Sequence, residues 1–190
     1  MNMPAKTLPD PLNGNLLKVS DACAIELSGT VQAAVLVAVF YRDGMPHLVF
    51  TERCAHLSQH AGEVCFPGGR RDPADVDLVA AALRETDEEL GLPPDTVQIM
   101  GALMPVSTIA TGYLIYPFVG LIDDGFTWAV NHHEVRQVAE LPMAEVFSGY
   151  GRRPVLRKDL MVRTDTYSVR GHTIWGATAR IVADLQERAC

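Results

Sequence analysis

The stretch VQAAVLVAVFYRDGMPHLVFTER, residues 31–53, restricts the fold more than any other part of the chain. A Val-rich apolar run leads into Asp43-Gly44, and a second apolar run follows through Leu48, Val49 and Phe50. An Asp-Gly pair between two apolar runs supplies the positive backbone angles that a tight antiparallel turn requires, so the stretch is read as a β-hairpin. The chain must then build a sheet around it.

The segments that follow alternate irregularly. Residues 62–75 form a Gly/Pro/Asp-rich loop, and 76–91 a helix closed by Gly91 and followed by Pro93-Pro94. Strand-like runs recur at 97–104, 113–122 and 134–138. LPMAEVFSGY reads as a short helix, RKDLMVRTDTYSVRGHTIWG as a second hairpin region, and ATARIVADLQERA as an amphipathic C-terminal helix with Ile181 and Leu185 on one face. Strands and helices mixed without a regular βα alternation imply a mixed sheet with helices on its faces. Residues 1–30 are rich in turn formers, although LLKVSDACAIEL can form a short helix or strand, and they are read as an N-terminal extension packed on the domain. There is no internal repeat or low-complexity linker, so residues 31–190 are read as one domain.

Composition narrows the partners. With 190 residues, 48% of them hydrophobic, the chain can bury a full core. Its formal net charge is -7, with only 16 Lys and Arg spread along the chain, so no nucleic acid is expected as a partner. A small anionic substrate fits if a cation mediates its binding. The four cysteines, Cys23, Cys54, Cys65 and Cys190, make no CxxC pair, so reduced thiols are expected rather than a zinc ribbon. MNMPAKTLPDPLNG lacks the apolar core of a signal peptide, and no stretch approaches the roughly 18 apolar residues of a membrane span. A cytoplasmic protein without a membrane partner is the expectation.

The helix at 76–91 carries the chemistry. At 100° per residue Val76, Val79, Leu83 and Leu90 gather on one side with Thr86 near them, while Glu85, Glu88 and Glu89 fall within about a 100° arc on the other. A plain solvated acidic face is one reading. Against it, like charges three and four residues apart destabilise a helix by a few tenths of a kcal/mol per pair, and the macrodipole disfavours anions near the C-terminal end. Within the helix only Arg84, four residues before Glu88, offsets them. A divalent cation removes both penalties, and this density of hard oxygen donors suits Mg²⁺ or Mn²⁺ and metal-assisted hydrolysis at phosphorus. The loop before the helix fits that chemistry. Gly68 and Gly69 allow close backbone approach, Pro67 stiffens the entry, and Arg70 and Arg71 can neutralise a diphosphate. Alone, Gly68-Gly69 is equally an ordinary strand-to-helix turn; the conjunction of loop and helix gives it weight.

These residues resemble the box of the Nudix hydrolases, Gly-x5-Glu-x7-Arg-Glu-U-x-Glu-Glu-x-Gly-U with U a bulky apolar residue. Arg84, Glu85, Glu88, Glu89, Gly91 and Leu92 match its C-terminal half, with Thr86 at the first U. The N-terminal half departs: six positions after Gly69 stands Asp75, nine residues before Arg84 rather than eight. That spacing looks like the coenzyme A pyrophosphatase branch, whose upstream signature Thr51, Arg53, Gly62, Phe66, Pro67, Gly68 and Gly69 match in register. Cys54 replaces a small residue of that signature, and Ser58 its second arginine. The resemblance continues through STIATGYLIYPFVG, HHEV and HTIWGATARI, covering about residues 31–185.

The resemblance implies an α/β (α+β mixed) fold, a Nudix-type α/β/α sandwich with a mixed β-sheet between helices. It implies Mg²⁺ or Mn²⁺ held by Glu85 and Glu89, with Glu88 as a further ligand or organiser of water and the Gly69 carbonyl as an additional ligand. Arg84 would orient the glutamates by salt bridge, and Glu88 or Glu134 would be the general base. Arg53, His60, Arg70, Arg71 and Gly68 would meet substrate, and Trp175-Gly176 would anchor the core before the last helix. The implied reaction splits a phosphoanhydride in a nucleoside diphosphate linked to another group. Coenzyme A or an acyl-CoA leads as substrate, giving adenosine 3',5'-bisphosphate and 4'-phosphopantetheine. ADP-ribose, NADH and nucleoside triphosphates stay as alternatives, as does a noncatalytic nucleotide-binding module, and a homodimer stays open as the assembly.

Overall fold

The computed structural model describes residues 12–25, 27, 31–55, 62–108, 112–157 and 160–189. In chain order the elements are helices α1 (Leu12–Asn15) and α2 (Val19–Cys23), then strands β1 (Val31–Arg42), β2 (Met45–Arg53), β3 (Val64–Cys65) and β4 (Gly68–Arg70). Helix α3 (Leu78–Leu90) follows, then β5 (Gln98–Ala102), β6 (Val106–Ser107), β7 (Tyr113–Leu121) and β8 (Val135–Pro142). The chain continues with α4 (Met143–Ser148), β9 (Tyr150–Arg157), β10 (Leu160–Val169), β11 (His172–Trp175) and α5 (Gly176–Ala189).

The unbroken apolar run of β1 follows from its central place. Ala34, Leu36, Ala38 and Phe40 point to one face of the sheet, where α3 packs. Val37 and Val39 point to the other, into a core shared with Met143 and Val146 of α4 and Ile181 and Leu185 of α5. A strand covered on both faces is apolar at every position. The eight-stranded sheet is mixed: β7 runs parallel to β1 from Val31↔Tyr113 to Val39↔Leu121, whereas β2 runs antiparallel. This is the sheet between helices that the sequence implied. At the hairpin turn Asp43 and Gly44 both take positive φ, 52° and 76°, as the Asp-Gly pair required.

One irregularity of the sheet places the site. β1 and β2 pair only from Val39↔Leu48 to Arg42↔Met45, and beyond that they part. The gap is filled by the 64–70 segment, whose β3 pairs with β2 through Thr51↔Cys65 and whose β4 pairs with β1 through Val35↔Gly68 to Ala33↔Arg70. The segment read as loop therefore contains two short strands.

Three further readings need correction. α3 starts at Leu78 rather than 76, because Asp77 caps it by accepting the Ala80 N–H at 2.7 Å. Val76, assigned to the packing face, is 85% exposed. β8 continues to Pro142, paired with β2 at Leu48↔Leu141, which shortens the helix expected at 141–150 to α4. Finally, β9 joins the expected hairpin to give a separate three-stranded sheet, β11-β10-β9. β9 was hidden because Arg152, Arg153 and Pro154 break the apolar pattern, as an edge strand tolerates.

The described part of the N-terminal segment packs on this body: Leu12 is fully buried in the core, and Leu17 exchanges backbone hydrogen bonds of 2.9 Å with Ala102. Among the described residues, no helix is long and apolar enough to cross a membrane.

Candidate active site

Two glycines bring backbone and carboxylates together. Gly68 has φ 139°, and a Cβ there would run into the Ala34 carbonyl of the paired strand. At Gly69 a Cβ would overlap the Glu85 carboxylate. Only glycine lets β4 lie between β1 and α3 at this distance. The Gly68 N–H then donates to Glu89 Oε2 at 3.2 Å.

Glu89 departs from the sequence reading. It does not share an exposed arc with Glu85 and Glu88, being only 3% exposed and turned toward the sheet. Arg53 Nη1 lies 3.7 Å from Oε1. Burial pushes the carboxyl up to about 7; the Gly68 hydrogen bond and the Arg53 charge pull it down, and repulsion from Glu85 and Glu134 adds to the rise. Glu85, half-buried, is also raised, first by burial and then by repulsion from Glu88 and Glu134, although Arg84 opposes the rise.

Arg84 is the organising cation. Its Nε and Nη2 donate to the two oxygens of Asp75 at 2.9 and 3.1 Å, and Nη2 also donates to Glu85 Oε1 at 3.0 Å and to the Arg70 carbonyl at 3.2 Å. Nη1 donates to Glu88 Oε2 at 3.0 Å. The guanidinium beside Asp75 holds that carboxyl below its usual range, and the Asp72 N–H adds a 2.7 Å bond. The acidic residue displaced by one position thus ties the loop to the helix.

Glu85, Glu89, Gly68, Gly69, Arg53, Arg70 and Glu134 line one cavity of ≈ 1370 Å³. Glu134 is set there by backbone bonds of 2.9 Å, from Asn131 N–H to the Glu89 carbonyl and from Cys54 N–H to the Glu134 carbonyl. Three expected residues lie off its wall. Arg84 acts from behind, Glu88 keeps a side chain 59% exposed against Arg84, and Arg71 donates to Gln32 Oε1 and to the Asp75 carbonyl, both at 3.3 Å. His60 and Ser58 lie outside the described residues. The sequence reading missed other residues of the lining: Tyr113 of β7, Tyr150 and Tyr167 of the three-stranded sheet, and one side of α5. Trp175, read as a core anchor, is half-buried and lines this cavity too. An aromatic next to glycine at a strand-to-helix junction was the available signal.

Among the described residues no group of three or more His, Cys, Asp or Glu side chains is arranged to hold a metal as it stands. The pair Glu85 and Glu89, packed against Gly69 and Gly68, nevertheless has the chemistry of a hard-cation site. It offers oxygen donors only, in a pocket whose own cations leave the buried carboxylate undercompensated.

Comparison with known proteins agrees with this geometry. The NUDIX domain family model matches residues 30–159. A protein of Escherichia coli (strain SMS-3-5) called uncharacterized Nudix hydrolase NudL is 40% identical over 159 residues, covering 81% of this chain and 80% of that one. The fold is shared with the NUDIX domain of Shewanella oneidensis NrtR complexed with ADP ribose (TM-score 0.58, 16% identity, 88% of this chain and 92% of that one). It is shared as well with a C. elegans Ap4A hydrolase in a binary complex (TM-score 0.52, 20% identity, 63% and 85%). NrtR complexed with a 27mer DNA is a further neighbour (TM-score 0.52, 17% identity, 83% and 61%), so the fold gives no support to the expectation that nucleic acid is excluded. The family match and the 40% identity over four-fifths of both chains, spanning the Arg84 cluster and the glycine-backed glutamates, establish that the chain belongs to the Nudix family of hydrolases.

Proposed function

We propose that the protein hydrolyses the phosphoanhydride of a nucleoside diphosphate linked to another group, with coenzyme A or its thioesters as the leading substrate. The observation that carries the reaction is Glu89: a buried carboxylate held at about 7, beside Glu85 and glycine backbone at a cavity wall, is poised to exchange its proton for a cation. Glu85 and Glu89 would hold Mg²⁺ or Mn²⁺, which when bound polarises phosphoryl oxygens and acidifies an attacking water. Arg53 and Arg70, on the same cavity, would neutralise the diphosphate. Glu134 takes the role of general base ahead of Glu88, because it lines the cavity whereas Glu88 is engaged with Arg84 outside it.

The substrate rests on the upstream match of Thr51, Arg53, Gly62, Phe66, Pro67, Gly68 and Gly69 to the coenzyme A pyrophosphatase signature. The ADP ribose bound by the NrtR domain keeps that compound as the second reading. A panel of coenzyme A, acyl-CoA, ADP-ribose, NADH and nucleoside triphosphates, assayed with Mg²⁺ and Mn²⁺ in ¹⁸O-labelled water with products identified by mass spectrometry, separates them. Release of 4'-phosphopantetheine supports the leading substrate, and cleavage of ADP-ribose alone rejects it. Binding without turnover of any compound would reduce the protein to a nucleotide-binding module.

A further inference from the structure

The cavity continues well past the carboxylates. Its floor crosses the strands of the main sheet, from Gly68 and Gly69 of β4 through Ala33 and Val35 of β1 to Ile115 and Tyr113 of β7. Ala33 pairs with Arg70 on one side and with Ile115 on the other, and β7 pairs in turn with β6 through Val106↔Ile115 and Ser107↔Leu114. Three strand spacings of about 4.8 Å therefore separate β4, which backs Glu85 and Glu89, from β6, a lateral distance of about 14 Å.

A cation stands at the far side of this floor. Arg180 of α5 lines the cavity and donates from Nη1 to the Ser107 carbonyl of β6 at 2.8 Å. A carbonyl orients the guanidinium without neutralising it. Elsewhere in the protein arginines are spent on carboxylates, as Arg42 is on Asp124 and Glu140 and Arg170 on Glu145. The acidic residue one turn along α5 from Arg180 is Asp184, and it is engaged by Arg188 Nε at 3.0 Å and by the Met104 N–H at 2.8 Å. Glu187, also on the cavity, lies about 10 Å farther along the helix axis at 1.5 Å per residue. Among the described residues the Ser107 carbonyl is the partner of Arg180, and its charge is left for a ligand. The other two cations of the cavity stand at the carboxylate end, Arg53 at 3.7 Å from Glu89 and Arg70 on β4.

A diphosphate bound at Glu85 and Glu89 ends short of Arg180, whereas a diphosphate continued by a ribose spans the interval. An uncompensated guanidinium at the end of that span suits a second phosphate, which arginine meets through two parallel N–H groups. The leading substrate carries one: the adenosine 3',5'-bisphosphate it would release bears a ribose phosphate besides the one cut from the anhydride. ADP-ribose and NADH have none. We propose that Arg180 is a specificity-determining residue that binds a phosphomonoester on the nucleoside ribose, the nucleoside half of the substrate lying across β1 and β7 between Gly69 and Ser107. The proposal rests on the phosphoanhydride reading above and names the group by which that site sorts its substrates.

The test uses the full chain with Mg²⁺ and two substrates that differ only in that group, coenzyme A and 3'-dephospho-coenzyme A, with ADP-ribose alongside. Arg180→Gln and Arg180→Met remove the charge from an exposed position; thermal melting shows that each folds, and either alone suffices. Wild type is expected to favour coenzyme A over its dephospho form in kcat/KM by at least about 10-fold, the size of a hydrogen bond to a charged group. In the variants that ratio should collapse toward unity, carried by a rise in KM for coenzyme A that the dephospho form does not share. If Arg180 only ties α5 to β6, the variants lower both substrates equally, and an unchanged ratio overturns the proposal. Equal wild-type turnover of the pair overturns it as well, while the coenzyme A reading stands. Cleavage of ADP-ribose alone overturns both. Where no compound is turned over, calorimetry with adenosine 3',5'-bisphosphate and AMP under the same conditions decides. Tighter binding of the bisphosphate, lost in the variants, upholds the role of Arg180 and rejects the hydrolytic reading; equal binding rejects both.

Discussion

Asp75 and Glu89 are two carboxylates within reach of the same helix, and their environments move them in opposite directions. Asp75 takes two hydrogen bonds from Arg84 and one from the Asp72 backbone, so its ionised form is favoured. Glu89 has one backbone N–H and a guanidinium at 3.7 Å, too little to offset burial, so its protonated form is favoured up to about pH 7. The difference separates a carboxylate that holds the loop in place from one kept available for a ligand. A structural ion pair is satisfied by the protein, whereas a metal ligand is left incomplete until the metal arrives.

The largest effect that would break this contrast is on catalysis. Glu89→Gln preserves the shape and the Gly68 hydrogen bond but removes the charge. Hydrolysis of every substrate is expected to fall by about 10²–10³-fold or more, the size seen when a principal electrostatic stabiliser is lost. Full activity in a steady-state assay of the folded variant would remove Glu89 from the metal site.

The same substitution should act on stability with the opposite sign. A carboxyl raised from 4.5 to about 7 binds more protons in the folded than in the unfolded chain between those values. Its contribution to stability is therefore full below pH 4.5, declines as pH rises to 7, and stays lost above it. Without divalent ions, Glu89→Gln should be more stable than the parent at pH 8 by about 2–3 kcal/mol, a gap that closes toward pH 5. Mg²⁺ should raise the melting temperature of the parent at pH 8 and leave the variant nearly unchanged. A variant less stable at pH 8, measured by urea unfolding in EDTA, would mean that Glu89 is already compensated within the protein.

On the other side of the contrast, Arg84→Ala leaves Asp75, Glu85 and Glu88 without their shared donor. Loss of about 1–3 kcal/mol is expected from the unpaired groups, and activity should fall by about 10–100-fold, as for residues that orient ligands. Asp75→Asn should lose most of the same stability while Glu85 keeps its partner, which a double-mutant cycle would show.

What could be read from the sequence follows how local each feature is. The β1 run, the Asp43-Gly44 turn and the Gly91 stop are set by neighbouring residues and were legible. The full face of α3 was not: a helical wheel built from Val76, Val79, Leu83 and Leu90 turned Glu89 outward, because apolar periodicity cannot register that the sheet strand under the helix is a pair of glycines. Val79, Leu83, Leu90 and Thr86 do pack, but the packed side extends further, through Leu78, Ala81 and Ala82, and takes in Glu89. Other parts of the cavity lining escaped for a similar reason. Val155, Val162 and Ala183 carry no chemistry in sequence, and only the tertiary fold brings them to one cavity.

The smallest predicted effect tests the residue between the two extremes. Glu88 sits in the box beside Glu85 and Glu89, yet its side chain is 59% exposed and, among the described residues, its close partner is Arg84 at 3.0 Å. Glu88→Gln should change stability by no more than about 0.5 kcal/mol, the range of exposed helix pairs. If Glu88 only steadies Arg84, kcat should fall by less than the about 10-fold lower bound for residues that orient ligands, with no change in the Mg²⁺ concentration needed for half-maximal rate. If it swings from Arg84 to the metal when substrate binds, the Mg²⁺ requirement should rise while the metal-free melting temperature stays fixed. Because Arg84 retains Asp75 and Glu85 in either case, the titration reads the glutamate and not the integrity of the loop.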